Sequence, residues 1–190
     1  VPEIWEAVAE ETGIEGLNLT TRDEPDYDAL MRYRLDILEK HEITLPLIQK
    51  VIERIDPLEG ADDFLQWLRE HTQVIILSDT FAEFARPLMR RLGWPTLFCH
   101  ELSVDEKERI KDYQLRQHDQ KSKAVRAFQS LNLRVISVGD SYNDLGMLQT
   151  AEEGILFCPP SNLPVEHPEF KVAYTHMELK TYMKPLLGEE

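Results

Sequence analysis

Apolar residues recur at intervals near 3.6 through the first 55 positions: Ile4, Val8 and Ala9, then Leu30, Leu35 and Leu38, then Leu47, Ile48, Val51 and Ile52. With charges between them, this spacing puts an apolar stripe on each of three helices. The stretch Thr20-Thr21-Arg22-Asp23-Glu24-Pro25-Asp26 is rich in turn formers and predicts a loop before the second helix. From Pro57 the pattern changes. Leu58 to Glu70 reads as a helix with Phe64, Leu65 and Leu68 on one face, and Val74-Ile75-Ile76-Leu77 as a short strand covered on both sides. A helix over Phe81 to Leu92 is stopped by Gly93, with Pro95 beyond it. Leu97 to Leu115 predicts a β-hairpin around the charged tip Asp105-Glu106-Lys107-Glu108. Then come a helix over Ser122 to Leu131, a strand over Arg134 to Val138, and short strands at Ile155-Leu156-Phe157 and Val172-Ala173-Tyr174. Strands alternating with helices define an α/β fold: a Rossmann-like parallel sheet with helices on both faces over residues 57–190, joined to a small helical cap over residues 1–56.

Composition narrows the partners. Apolar residues form 42% of the 190 and charged residues 29%, enough for a core without disulfide support and unlike a disordered chain. The net charge of −14 repels nucleic acid and anionic lipid, so nucleic acid is not expected as a partner; a small-molecule partner enters only with the resemblance below. The apolar run Val74 to Leu77 is far shorter than the roughly 20 residues that cross a bilayer, so no membrane partner is expected. Cys99 and Cys158 stand apart, without CxxC or a His-rich neighbourhood, which argues against zinc and a disulfide framework and suggests a reducing cytoplasm. A homodimer stays open.

Three segments carry chemistry. Gly139-Asp140-Ser141-Tyr142-Asn143-Asp144 follows a strand directly. Two carboxylates four residues apart, with an Asn between, supply oxygen ligands for Mg²⁺; the alternative is an ordinary turn with an Asx cap. Ser78-Asp79-Thr80, at an expected strand-to-helix junction, either holds a phosphate or simply caps the helix. Lys121 opens the helix leading into the Gly139 strand. A lysine there is either a solvated surface charge or a cation with a task, because the positive helix end disfavours it.

In this order, Ser78 after one strand, Lys121 before a helix and Gly139-Asp140 through Asp144 after the next strand, the chain resembles the haloacid dehalogenase superfamily, in its phosphoserine phosphatase branch. The resemblance implies Mg²⁺-dependent hydrolysis of a phosphomonoester through an aspartyl-phosphate, with water or homoserine as acceptor. It implies that Asp140 ligates Mg²⁺ with Asp144 as a further partner, that Ser78 and Lys121 are catalytic, and that Asp79, Thr80 and Asn143 contact substrate. It places Glu3 against the ammonium and Arg34 against the carboxylate of the phosphoamino acid, and a guanidinium suits bidentate carboxylate capture. Glu3 and Arg34 also read as an acid in a helix's first turn and a paired helical arginine. Asp79 and Thr80 stand where the branch has glycines, and Tyr142 where it has a smaller residue. The family's first motif, an Asp-x-Asp strand bearing the nucleophile, has no counterpart before the helical segment and is expected upstream of Val1. Two rival readings are a phosphatase for another small ester and a non-catalytic phosphate-binding module.

Overall fold

The computed structural model describes residues 4–20, 23–24 and 26–188. They group into two compact units, one of residues 1–58 with 78–116 and the other of 59–77 with 117–190.

The first unit begins with α1 (Ile4–Thr12), α2 (Tyr27–Lys40) and α3 (Leu45–Glu53). The carboxylate of Asp26 accepts from the backbone N–H groups of Asp28 and Ala29 and so caps α2. The apolar stripes point inward: Val8, Leu30, Leu38, Ile48 and Ile52 are buried, while Leu47 stays 39% exposed. The same core takes in Phe81, Phe84 and Leu102. Burying each such side chain contributes about 1.5–3 kcal/mol. Phe81 ends strand β1 (Ile75–Phe81), which runs four residues past the expected Leu77, because the buried Phe81 ring needs an extended backbone to reach this core. Helix α5 (Ala82–Arg91) follows and ends before Gly93, whose φ of 71° suits a residue without Cβ.

Pro87 lies inside α5 and has no N–H for the carbonyl of Glu83 one turn back. The Gln49 side-chain amide from α3 donates to that carbonyl at 2.8 Å instead. Strands β2 (Thr96–Val104) and β3 (Ile110–Gln114) form the expected hairpin, antiparallel with Glu101 opposite Gln114. Asp105 closes its tip by accepting from the backbone of Lys107 and Arg109. Arg32 pairs with Asp112 at 2.7 Å, Lys111 with Glu39, and the Tyr113 hydroxyl donates to Asp28, tying the hairpin to α2.

The second unit holds α4 (Ala61–His71), α6 (Gln120–Ser130), β4 (Ile136–Gly139), α7 (Leu145–Thr150), β5 (Glu153–Phe157), α8 (Leu163–Glu166), β6 (Lys171–Ala173) and α9 (His176–Leu186). Strands β4, β5 and β6 lie side by side, all parallel. Side chains alternate across a strand, and on β5 Ile155 packs with Trp67 and Leu179 while Leu156 packs with Val125 and Leu148. Helices therefore cover both faces, as the sequence pattern predicts.

β4 and β1 are each the outer strand of a three-stranded sheet, the second sheet running β1-β2-β3. Ile75 and Leu77 at the start of β1, with Ile136 and Val138 of β4, line an apolar cleft of about 620 Å³ floored by Leu68 and Met183. Among the described residues no helix is long and apolar enough to cross a membrane.

Candidate active site

Backbone geometry at the carboxyl end of β4 dictates the acidic loop. Gly139 is required by close approach: a Cβ there would lie 2.4 Å from the Cβ of Asp144. A single 3₁₀ turn over Tyr142–Asp144 carries the chain into α7 and brings Asp144 back beneath the strand end. Asp144 is 4% exposed. Its Oδ2 accepts from the backbone N–H of Asp140 at 2.9 Å and of Ser141 at 3.1 Å, and from the Ser141 hydroxyl at 3.2 Å. Its Oδ1 accepts from Lys121 Nζ at 2.8 Å. That bond accounts for a lysine in the first turn of α6, where the helix dipole disfavours it.

Burial alone would raise the Asp144 carboxyl, but the Lys121 charge and these hydrogen bonds outweigh it and hold the group below the usual aspartate value. Asp140 behaves oppositely. Its side chain reaches solvent, yet the protein packed around it and then the Asp144 charge push its carboxyl up. Such a carboxylate fits a divalent cation, whose charge would relieve the repulsion. Among the described residues no group of three or more His, Cys, Asp and Glu side chains could hold a metal by itself. Mg²⁺ suits this limited set, because it is commonly held by one or two carboxylates and fills its remaining positions with water and substrate phosphate.

Asn143 and Tyr142 are exposed on the same turn. The Tyr142 hydroxyl donates to Glu166 at 2.9 Å and accepts from Asn162 at 2.6 Å, fastening the turn to α8. Ser141 was within reach of sequence reasoning, since a Ser three residues before an acid is a capping-box spacing. The Asn162 and Glu166 contacts have no such signal.

In the first unit, Ser78, Asp79 and Thr80 lie within β1 rather than at a helix start. The residue that caps α5 is Phe81, which makes no side-chain capping bond, so the helix-cap reading of these three residues is corrected. Ser78 Oγ accepts from the Thr80 N–H at 3.2 Å. Arg34 is 5% exposed on α2. Its guanidinium donates to the Leu19 carbonyl at 2.6 Å and lies 4.6 Å from the Trp5 ring centroid. Tyr27 feels Arg34 and Asp79 together: burial first pushes its hydroxyl up to about 12, Arg34 opposes this and Asp79 adds to it. His100, which sequence reasoning did not single out, is buried on β2 with Nε2 3.9 Å from Asp79 Oδ1. Glu3 lies outside the described residues. The sequence's one Asp-x-Asp, Asp26-Tyr27-Asp28, starts α2 and lies on no strand.

Open parallel α/β sheets bind their ligands at the carboxyl ends of the strands, and it is there, after β4, that this unit carries its acidic turn and the lysine bound to it. The chain belongs to the haloacid dehalogenase-like hydrolase family, whose model matches residues 2–152. It is 57% identical over 180 residues to "Phosphoserine phosphatase ThrH" of Pseudomonas aeruginosa, covering 95% of this chain and 88% of that one. It is 58% identical over 180 residues to "Phosphoserine phosphatase" of Pseudomonas syringae pv. tomato, covering 95% and 76%. Among solved structures it resembles "Phospho-Aspartyl Intermediate Analogue of Phosphoserine phosphatase", with a TM-score of 0.75, 20% identity and coverage of 95% and 91%. At that identity the likeness concerns the fold.

Proposed function

We propose that this chain is a phosphoserine phosphatase that works through an aspartyl-phosphate and can also pass the phosphoryl group to homoserine. The observation that carries the reading is the Lys121–Asp144–Asp140 arrangement at the end of β4, in a chain 57% identical to a protein named for phosphoserine hydrolysis. Lys121 supplies positive charge where a phosphoryl group and an attacking carboxylate would otherwise repel each other. Asp144 fixes that ammonium and the turn. Asp140 offers the carboxylate for Mg²⁺, which would neutralise phosphate charge when bound.

Ser78 donates its hydroxyl to a phosphate oxygen, Asn143 and Thr80 orient the substrate, and Arg34 takes its carboxylate, with Glu3 at the ammonium. The nucleophile is the aspartate that the resemblance puts on a strand ahead of the helical segment. Its carboxylate oxygen bonds to phosphorus as the ester P–O bond breaks, and the leaving alkoxide takes a proton from a water molecule. Water or the homoserine hydroxyl then attacks phosphorus and releases the carboxylate.

The test is phosphate release by the full-length protein from phosphoserine and a panel of other small phosphate esters, with phosphohomoserine followed when homoserine is added. Preference for phosphoserine, lost in Arg34→Ala while other esters are less affected, is the expected result. Equal turnover of all esters contradicts the amino-acid assignment.

A further inference from the structure

We propose that Tyr142 is a positioning residue for the acidic turn: its hydroxyl, held between Asn162 and Glu166, fixes the apex of the turn so that Asp140 meets Mg²⁺ already in place. This rests on the reading of Asp140 as the carboxylate for the cation and adds to it the group that keeps that carboxylate where it is.

The turn is held from two sides. From beneath, Asp144 accepts from the backbone N–H groups of Asp140 and Ser141 and binds Lys121. Those bonds fix the start of the turn, while its apex, Tyr142 and Asn143, lies on the exposed side. There the Tyr142 hydroxyl donates to Glu166 Oε2 at 2.9 Å and accepts from Asn162 Nδ2 at 2.6 Å. A phenol has one proton to give, and here its donor and an acceptor position are both engaged, so the end of the ring is fixed in direction as well as distance.

The anchor is firm although α8 is short. Leu163 at its start is fully buried and packs with Leu148 of α7 and Leu156 of β5. Helix α7 is also the element that leaves the turn. Tyr142 therefore closes a ring that runs from the turn to α8, through the core to α7, and back to the turn. Asn162 shows the same arrangement from the other end. An Asn directly before a helix commonly caps it, but this side chain makes no capping bond; it reaches Tyr142 instead and lies 3.4 Å from Glu166 Oε1. Because Tyr142 is 44% exposed, these bonds exchange with water at little net gain, and they add little to folding. Placement is the larger effect, because groups that orient a metal ligand typically account for about 10–100-fold in affinity or activity. Asp140 is two residues from the held ring.

The experiment titrates Mg²⁺ into the full-length protein, reading the thermal midpoint and, at each concentration, phosphate release from phosphoserine. Tyr142→Phe removes only the hydroxyl and should raise the Mg²⁺ concentration at half of the full midpoint increase by about tenfold. Phosphate release should fall at limiting Mg²⁺ and recover most of its rate at saturating Mg²⁺, while the urea midpoint without Mg²⁺ stays near that of the wild type. Glu166→Ala should show most of the same effect, and Glu166→Gln, which keeps an acceptor for the hydroxyl, clearly less. Tyr142→Phe combined with Glu166→Ala should be little worse than either change alone, since both break one contact. An unchanged Mg²⁺ requirement in Tyr142→Phe, with or without a lowered urea midpoint, overturns the proposal. Losses that multiply in the double variant, or that no Mg²⁺ concentration restores, overturn it as well. A wild-type protein whose thermal midpoint does not respond to Mg²⁺ overturns the cation reading of Asp140, and the positioning role falls with it.

Discussion

Lys121 and Asp144, 23 residues apart in sequence, meet at 2.8 Å with side chains only 13% and 5% exposed. Pairs so shielded are costly to break from one side, because the remaining charge has neither partner nor water. Lys121→Met should therefore destabilise the protein by about 3 kcal/mol in urea unfolding. Asp144→Asn keeps an acceptor for the Asp140 and Ser141 N–H groups, so the double variant should cost less than the two single changes added together. Additive losses would mean that the pair is not coupled.

Gly139→Ala should be tolerated poorly. The new methyl would sit 2.4 Å from Asp144 Cβ and 2.7 Å from its Cγ, so the turn must move. A destabilisation of about 2 kcal/mol is expected from this overpacking, with a larger loss of phosphate release, since the displaced turn holds Asp140. Wild-type stability and activity in this variant would show that the close approach is not a constraint.

Acid should separate the two aspartates. The Asp144 carboxyl is held low, so its stabilising effect is present above the unfolded aspartate value and disappears as pH falls through its own lower value. Asp140 is held high, so ionising it costs stability as pH rises through its folded value, until a cation offsets the charge. Asp140→Asn should thus raise the thermal midpoint at pH 7 without Mg²⁺ and abolish the increase that added Mg²⁺ gives the wild type. A Mg²⁺ increment that survives in Asp140→Asn would remove Asp140 from the cation site.

Gln49 offers a test far from the chemistry. Gln49→Ala leaves the Glu83 carbonyl without its side-chain donor and should cost about 1–2 kcal/mol. With Pro87→Ala already present, an N–H at residue 87 can take over, and the same change should cost clearly less. Equal costs in both backgrounds, read from urea midpoints, would contradict the compensation.

Much of this was legible because the physics is local. The alternation that sends Ile155 and Leu156 to opposite faces, the helix stop at Gly93 and the acidic turn after Val138 all follow from periods of two and 3.6 and from turn chemistry. The extent of β1 was not, since its last residues extend to seat the Phe81 ring in a core built mainly by residues between Val8 and Ile52. His100 gave no signal either. Its surroundings include the Arg116 N–H and the neighbouring strand, which only the hairpin and sheet order bring together. Lys121 lay between: its odd place at a helix start was visible, its partner was not.

The most direct measurement is phosphate release from phosphoserine by the full-length protein with Mg²⁺, compared with Asp140→Asn and Lys121→Met. Turnover by the wild type is expected, with a loss of at least about a hundredfold in each variant, both remaining folded by circular dichroism. Turnover near the wild-type rate in either folded variant would contradict this expectation.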